Sequence, residues 1–528
     1  MIRITDLKLP VNGTEEQLKK RAARALGIPA EGVLNTKIFR RSLDARKKDQ
    51  IHYVLVVDVE VANEKKVLSK ATGKNISVTP DLSYTFPQGK AECKNRPVVV
   101  GFGPGGMFAA LLLAEMGLNP IVLERGGDVK SRKEAISLFW EEGRLNPENN
   151  VQFGEGGAGT FSDGKLTTRI KDPRCRKVLE ELVGAGAPED ILYDAKPHIG
   201  TDLLQGVVQR IREKILSLGG EVRFFAKVSD ILLEGGQVKG VILSDGEAIH
   251  TNDVVLAIGH SARDTFEMLY QKGAMLEQKP FAVGVRIEHP QRMIDIAQYG
   301  EGEKGLPPAD YRLTYTSKKG RGVYTFCMCP GGYVVAAASE EEKLAVNGMS
   351  EHARDGENAN SALLVQVFPQ DFGSDHPLAG MYFQRELEEK AFALGGGNYT
   401  APIQRVGAFL GTSKEGSMIF PSYRPNTKES NLAEIFPAFM IEAMQEAIPE
   451  MGKRLKGFDR EDAVLTAVES RSSSPIRILR GEDGTSPWAK GLYPTGEGAG
   501  YAGGIVSAAV DGILAAEKIF LQNLEVEK

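Results

Sequence analysis

The chain has 528 residues, of which 42% are hydrophobic and 26% charged, and a formal net charge of −5. That length exceeds what one core sustains, so two or three domains are expected of an otherwise ordinary soluble composition. The acidic balance excludes a global attraction to nucleic acid or anionic membrane, and four cysteines are too few for a disulfide framework in a chain this long.

The first residues, MIRITDLKLPVNGTEEQ, are polar where a signal peptide would carry an apolar core, so a cytoplasmic location is expected. Residues 1–86 read as a small unit of strand, helix and hairpin. Ile2 to Leu7 is a strand pattern, Thr14 caps a helix running to Leu26, and Thr36 to Arg46 and Ile51 to Val61 are strands around a basic turn. Arg40, Arg41, Arg46, Lys47 and Lys48 are read as a solvated hairpin tip in preference to a grip on a phosphate or an acidic partner. Residues 87–97 form a linker.

From Arg96 the chain reads RPVVVGFGPGGMFAALLLAEMGLNPIVLER, a strand, a glycine turn and a helix. Gly101 permits the turn, Gly103 lets backbone approach a pyrophosphate, and Gly106 allows close packing of helix on strand. A second apolar strand ends in Glu124, eighteen residues beyond Gly106, where a carboxylate can bind an adenosine ribose. The same stretch holds the most apolar run of the chain, Val98 to Leu118, which reads as a buried strand and helix and not as a membrane span.

Ser131 to Trp140 is a helix pattern. The run from Phe153 to Arg169 then interleaves glycines with Thr, Ser, Asp, Lys and Arg, a composition that brings backbone amides against a flat ring and its phosphates. Leu203 to Leu218 is an amphipathic helix, followed by a strand series over 221–251 in which Glu221 to Ser229 reads as one strand. A further strand, 253–258, ends in Gly259 and His260.

Residues 265–465 are expected to form a substrate or cap domain. Phe281 to Glu288 is a strand pattern, Val323 to Cys329 and Tyr333 to Ala338 are read as a hairpin, and Phe383 to Leu394 and Leu432 to Ile448 as helices. In an alternating strand Cys327 and Cys329 face one side, which points to packing and not to redox chemistry. Residues 466–528 return to the nucleotide half, where Gly496-Glu497-Gly498 precedes a glycine-rich turn and a helix from Val506 to Ile519. Two nucleotide-contacting segments, with no second strand-glycine-helix motif after 125, point to FAD and argue against a dedicated nicotinamide domain.

Taken with Lys196 to Asp202, Gly259 to Thr265, Gly284 to Pro290, Asn358 to Ser361 and Glu469 to Arg477, these motifs resemble a bacterial family of FAD-dependent, NAD-utilising dehydrogenases, related at fold level to glutathione-reductase-type and geranylgeranyl-reductase-type flavoproteins. The resemblance implies an FAD-binding oxidoreductase. The expected fold is α/β, with a two-part FAD-binding Rossmann-type (glutathione-reductase-like) domain over 98–264 and 466–528, an inserted α+β cap and the small N-terminal α+β unit.

The expected cofactor contacts are Gly101, Gly103, Pro104, Gly105, Gly106, Glu124, Arg125, Gly156, Gly157, Gly159, Thr160, Lys165, Val228, Gly259, Gly496, Glu497, Gly504 and Ile505. Lys165 is the candidate for stabilising an anionic reduced ring, and His198, His260 and His289 are candidate proton donors, with His260 best placed. Arg471 and Arg477 suit a carboxylate or phosphate, or alternatively interdomain salt bridges.

The expected activity is hydride transfer through flavin N5 to or from a small, anionic organic substrate. NAD(P)H is admitted as a transient co-substrate and self-association is allowed. No metal, nucleic-acid partner or membrane span is expected. The alternatives weighed are an RNA-modifying flavoprotein and a non-catalytic redox sensor acting through the N-terminal unit.

Overall fold

Val98–Val100 forms the middle strand of a five-stranded parallel sheet in the computed structural model, which describes residues 1–71, 73–301, 305–413 and 415–524. Its order is Leu492–Pro494, Val254–Leu256, Val98–Val100, Ile121–Leu123 and Glu221–Arg223. The chain steps outward twice from the central strand, then crosses to its other side for the last two. The order therefore reverses between Val98–Val100 and Val254–Leu256, which is where open α/β sheets bind ligands.

Alternation explains why these short strands are apolar throughout. Val99, Val122 and Val255 face the helices Pro104–Glu115 and Ile505–Gln522, while Val98, Val100, Leu123 and Leu256 face an antiparallel meander and the helix Arg263–Gln271. The meander pairs Val228–Glu234, Gln237–Leu243 and Ala248–His250. The single strand expected over 221–229 is thus two. Phe225 takes a left-handed φ of 54°, and the amides of Phe225 and Ala226 bond to Gly126 and Glu124, lifting the chain off the parallel sheet.

The second large sheet has seven strands in the order Thr314–Thr316, Gly322–Cys329, Asn358–Val367, Phe281–Pro290, Val464–Glu469, Ala401–Arg405 and Thr427–Glu429. It is covered by Ala379–Gly395 and Ala438–Arg454 around a core that includes Val285, Leu363, Leu387 and Met444. The expected division at 465/466 falls inside the strand Val464–Glu469, so the return to the parallel sheet starts only after Glu469. Pro437 also holds the helix expected from Leu432 to a start at Ala438.

The expected hairpin over 323–338 does not form. Tyr333–Ala336 pairs with Val346–Met349, whereas Gly322–Cys329 pairs with Asn358–Val367 and Thr314–Thr316. Left-handed backbone at Cys327 (φ 42°) and Gly331 (φ 47°) turns the chain out of the first strand before a hairpin can close.

Residues 2–78 make a four-stranded antiparallel sheet, ordered Val33–Asp44, His52–Val61, Ile2–Pro10 and Ile76–Val78, with its own core. Thr14 and Gln17 form a capping box on the helix Glu15–Leu26. The edge strand carries Arg41, whose amide and carbonyl bond to Tyr193 and Ala195 of the central body, fixing the hairpin against it.

Candidate active site

A cleft of about 1940 Å³ opens at the carboxyl ends of the parallel strands, well above the ~300–1,000 Å³ of an ordinary small-molecule pocket. Gly101, Gly103, Pro104 and Gly105 line it, with Glu124 and Arg125 from the next strand end, Val228 from the meander, Gly259 and His260 from the end of Val254–Leu256, and Gly496, Glu497, Gly504 and Ile505 from the last. Gly157, Gly159 and Lys165 complete that wall.

The backbone is bare along much of this surface. A Cβ on Gly259, Gly503 or Gly504 would meet nothing within 4 Å, and one on Gly103 only the Cα of Gly157 at 3.8 Å. Neither the helix Pro104–Glu115 nor Ile505–Gln522 has a side-chain cap at its N-terminus, so both present first-turn amides and a positive dipole end at this side. Glu124 is buried and accepts the amides of Phe102 (2.8 Å), Gly126 (2.9 Å) and Gly154 (2.9 Å). A carboxylate has about four acceptor sites, so one is left.

Three expected contacts do not line the cleft. Gly106 is needed for packing, since its Cβ would lie 1.9 Å from the carbonyl of Gly101. Gly156 pins the loop to the glycine turn through its amide and the carbonyl of Phe102 at 2.9 Å. Thr160 is buried, with its hydroxyl on the carbonyl of Glu155.

His260 lies with Nδ1 3.5 Å from the Glu497 carboxylate, and its buried Nε2 has no hydrogen-bond partner. His198 stands on the opposite wall, paired across the backbone with Lys165 and stacked on His352 at 5.2 Å. Burial, helped by the Arg354 charge, holds His198 below the ordinary histidine range. His289 is removed from the candidates: it is fully buried, bonds to the carbonyl of Phe458 at 2.8 Å, and burial lowers its pKa to about 4.

Lys165 is tied to the second sheet, donating to the carbonyl of Met328, 3.3 Å from Asp163 and 3.9 Å from Cys329 Sγ. Burial opposes its charge, but Cys329, Cys327 and Asp163 outweigh that and keep the amine above the ordinary lysine range. Arg471 also lines the cleft, and its guanidinium donates to Glu388, Ser261 and Ser339, the interdomain alternative to binding an anion. Arg477 stacks over Tyr501 at 5.5 Å and leaves a buried Nε without a partner.

Several lining groups gave no sequence signal. Lys279 lines the cleft, where burial lowers its pKa despite the Glu497 charge. Arg354 reaches Asp163 at 2.6 Å from a loop that carried no motif. The hairpin residues Arg40 and Arg41 stand at the mouth with Arg169 and Arg312, so the expected solvated tip is in part a wall of the cleft.

Residues 280–472 match a family described as "FAD-dependent protein, C-terminal domain-like", and residues 1–60 match a domain of unknown function, DUF8436. A Clostridium beijerinckii protein described as "Uncharacterized protein" is 52% identical over 525 residues, covering 98% of each chain. Among solved structures, a flavin-dependent brominase aligns with 15% identity over 81% of this chain and 79% of its own, at a TM-score of 0.38. Glycine oxidase from Bacillus cereus aligns with 12% identity over 82% of this chain and 99% of its own, at a TM-score of 0.32.

Proposed function

We propose that this chain, which belongs to one family with the Clostridium beijerinckii protein, is an FAD-dependent oxidoreductase exchanging a hydride with a small anionic organic substrate. The observation that carries the reading is the run of bare glycines, Gly103, Gly259, Gly503 and Gly504, facing one cleft at the point where the parallel strand order reverses. A Cβ there would meet little or no protein, which leaves this wall open to the close approach of a flat cofactor. The donors fit a dinucleotide: uncapped helix N-termini suit a pyrophosphate, and Glu124 keeps an acceptor site for a ribose hydroxyl.

FAD, when bound, supplies reversible two-electron chemistry. The chain's own residues would hold it and manage protons. Gly103 and the N-terminus of the helix Pro104–Glu115 would take its phosphates, and the N-terminus of Ile505–Gln522 would offset negative charge on it. His260, with Nε2 unpartnered, holds or gives a proton, and Glu497 beside Nδ1 orients the ring. The second-sheet strand Gly322–Cys329, with Lys165 bonded to it, forms the far wall.

An anionic substrate is supported by Arg40, Arg169 and Arg312, which line the cleft and have no carboxylate partner among the described residues. NAD(P)H enters this proposal only as a transient reductant, since no second glycine motif follows residue 125.

The test is an anaerobic visible spectrum of the purified protein before and after NADH, NADPH and dithionite. A flavin band that bleaches with a nicotinamide or dithionite is expected. Absence of flavin after reconstitution with FAD, or a band that no reductant bleaches, overturns the reading.

A further inference from the structure

We propose that Cys327 and Cys329 form a redox-active dithiol in the cleft wall, closing to an intramolecular disulfide by exchange with a low-molecular-weight disulfide and reopening with a thiol. This goes beyond the proposed activity and does not require a bound flavin.

A regular strand would bury the two side by side as packing residues, but the strand is not regular here. Its pairing with Asn358–Val367 slips between Phe326 and Cys329, and Cys327 takes a left-handed φ of 42°, rare for a residue with a Cβ. Cys329 curls back along the chain, its Sγ 3.2 Å from the carbonyl of Cys327. Even in a fully extended strand residues two apart are separated by no more than roughly 6.8 Å, within the reach of a disulfide. Both cysteines are free, and Cys327 lines the cleft.

The surroundings are cationic. Lys165 donates to the carbonyl between the two cysteines and lies 3.9 Å from Cys329 Sγ, while Arg286 donates to the carbonyl of Cys327 at 2.9 Å. The Cys329 thiol, with Lys165 and Arg286 behind it, holds Cys327 well below the ordinary thiol range against the effect of burial. Cys327 in turn, and then burial, holds Cys329 well above it. One thiolate nucleophile beside one protonated thiol is the division of labour that exchange requires.

In the step, the Cys327 thiolate attacks one sulfur of a disulfide such as oxidised glutathione. The S–S bond of the oxidant breaks, one glutathione thiolate leaves, and a mixed disulfide forms on Cys327. Cys329 then attacks the Cys327 sulfur, its proton passing to the first departing thiolate and the second glutathione leaving as thiolate. Two electrons have moved from the cysteine pair to the oxidant.

The experiment incubates the reduced full-length protein in glutathione redox buffers, quenches in acid, unfolds it in guanidinium chloride with iodoacetamide to block every free thiol, and reads the cysteine peptides by mass spectrometry. The expected result is a 327–329 peptide lighter by two hydrogens in oxidising buffer, restored by dithiothreitol, with Cys93 and Cys175 carrying the blocking group throughout. In the reduced protein Cys327 should alkylate at least about tenfold faster than Cys93, whose thiol burial pushes up to about 12. Cys329→Ser should trap glutathione on Cys327. Blocking groups on both Cys327 and Cys329 at every buffer ratio in the unmutated protein overturn the proposal, as does a Cys329→Ser protein that takes up no glutathione.

Discussion

Glu388 and Arg263 meet as a bidentate pair, both Nη atoms 2.8 Å from the carboxylate oxygens and both side chains buried. Arg471 approaches the same carboxylate with Nη2 at 3.0 Å, and Ser470 adds its hydroxyl. The three charged groups come from the helix Ala379–Gly395, the helix Arg263–Gln271 and the segment returning after Val464–Glu469, so one carboxylate ties the second sheet to the parallel one.

Removing that charge leaves Arg263 with Glu340 as its carboxylate partner and Arg471 with the hydroxyls of Ser261 and Ser339. Glu388→Gln should therefore cost about 3 kcal/mol, the low end for breaking a buried pair, read as a lower urea midpoint at neutral pH. An unchanged midpoint would mean the network carries no stability.

Two pH windows should separate. His289 has a folded pKa of about 4 against an unfolded value near ~6.5, so its contribution is present above ~6.5 and is lost as pH falls toward 4. Against burial, Arg263 and Arg471 hold the Glu388 carboxyl far below the usual range, so its contribution is lost only as pH falls below about 4. Urea midpoints measured from pH 7.5 to 3 should fall in both windows, with the upper slope reduced in His289→Gln and the lower one reduced in Glu388→Gln. Identical slopes in the variants would refute the assignment.

The glycine turn holds two different roles. Gly106→Ala places a Cβ 1.9 Å from the carbonyl of Gly101 and should destabilise the fold by about 1–3 kcal/mol or abolish it. Gly103→Ala meets only Gly157 at 3.8 Å and should keep apo stability within about 1 kcal/mol while losing flavin occupancy. Absorbance ratio of flavin to protein, beside a melting curve of the stripped protein, distinguishes them. A Gly103→Ala protein with full flavin occupancy would remove the pyrophosphate role.

The N-terminal sheet is held to the body partly by Arg41, whose guanidinium makes two bonds to Asp194, at 2.6 and 2.9 Å. Both groups are about a quarter exposed, so Arg41→Ala should cost no more than about 1 kcal/mol globally. Its local effect should be larger, because the bonds from Arg41 to Tyr193 and Ala195 lose their anchor. Faster hydrogen exchange at Arg41 and Ala195, with the rest of the chain unchanged, is the expected readout, and equal protection would show that the backbone pairing holds alone.

Whatever depends on neighbours along the chain is legible in the amino-acid sequence by itself. The strand at Val98, the turn at Gly101–Gly106, the acid at Glu124 and the Thr14 cap are set by local sterics, alternation and hydrogen bonding within a few residues or one crossover. The tertiary structure alone decides where long side chains spend their charge. Arg471 is claimed by Glu388, 83 residues away, Arg41 by Asp194, 153 away, and Lys165 by the carbonyl of Met328, 163 away. Sequence spacing carries no trace of such pairings, because a buried charge is stabilised by whichever partner folding brings within about 3 Å, and that partner is chosen by the packing of whole sheets. The strand slip at Cys327 belongs with them: the alternation that assigns it to packing holds only while pairing stays in register, and the register is broken against a partner strand, Asn358–Val367, that is remote in the chain.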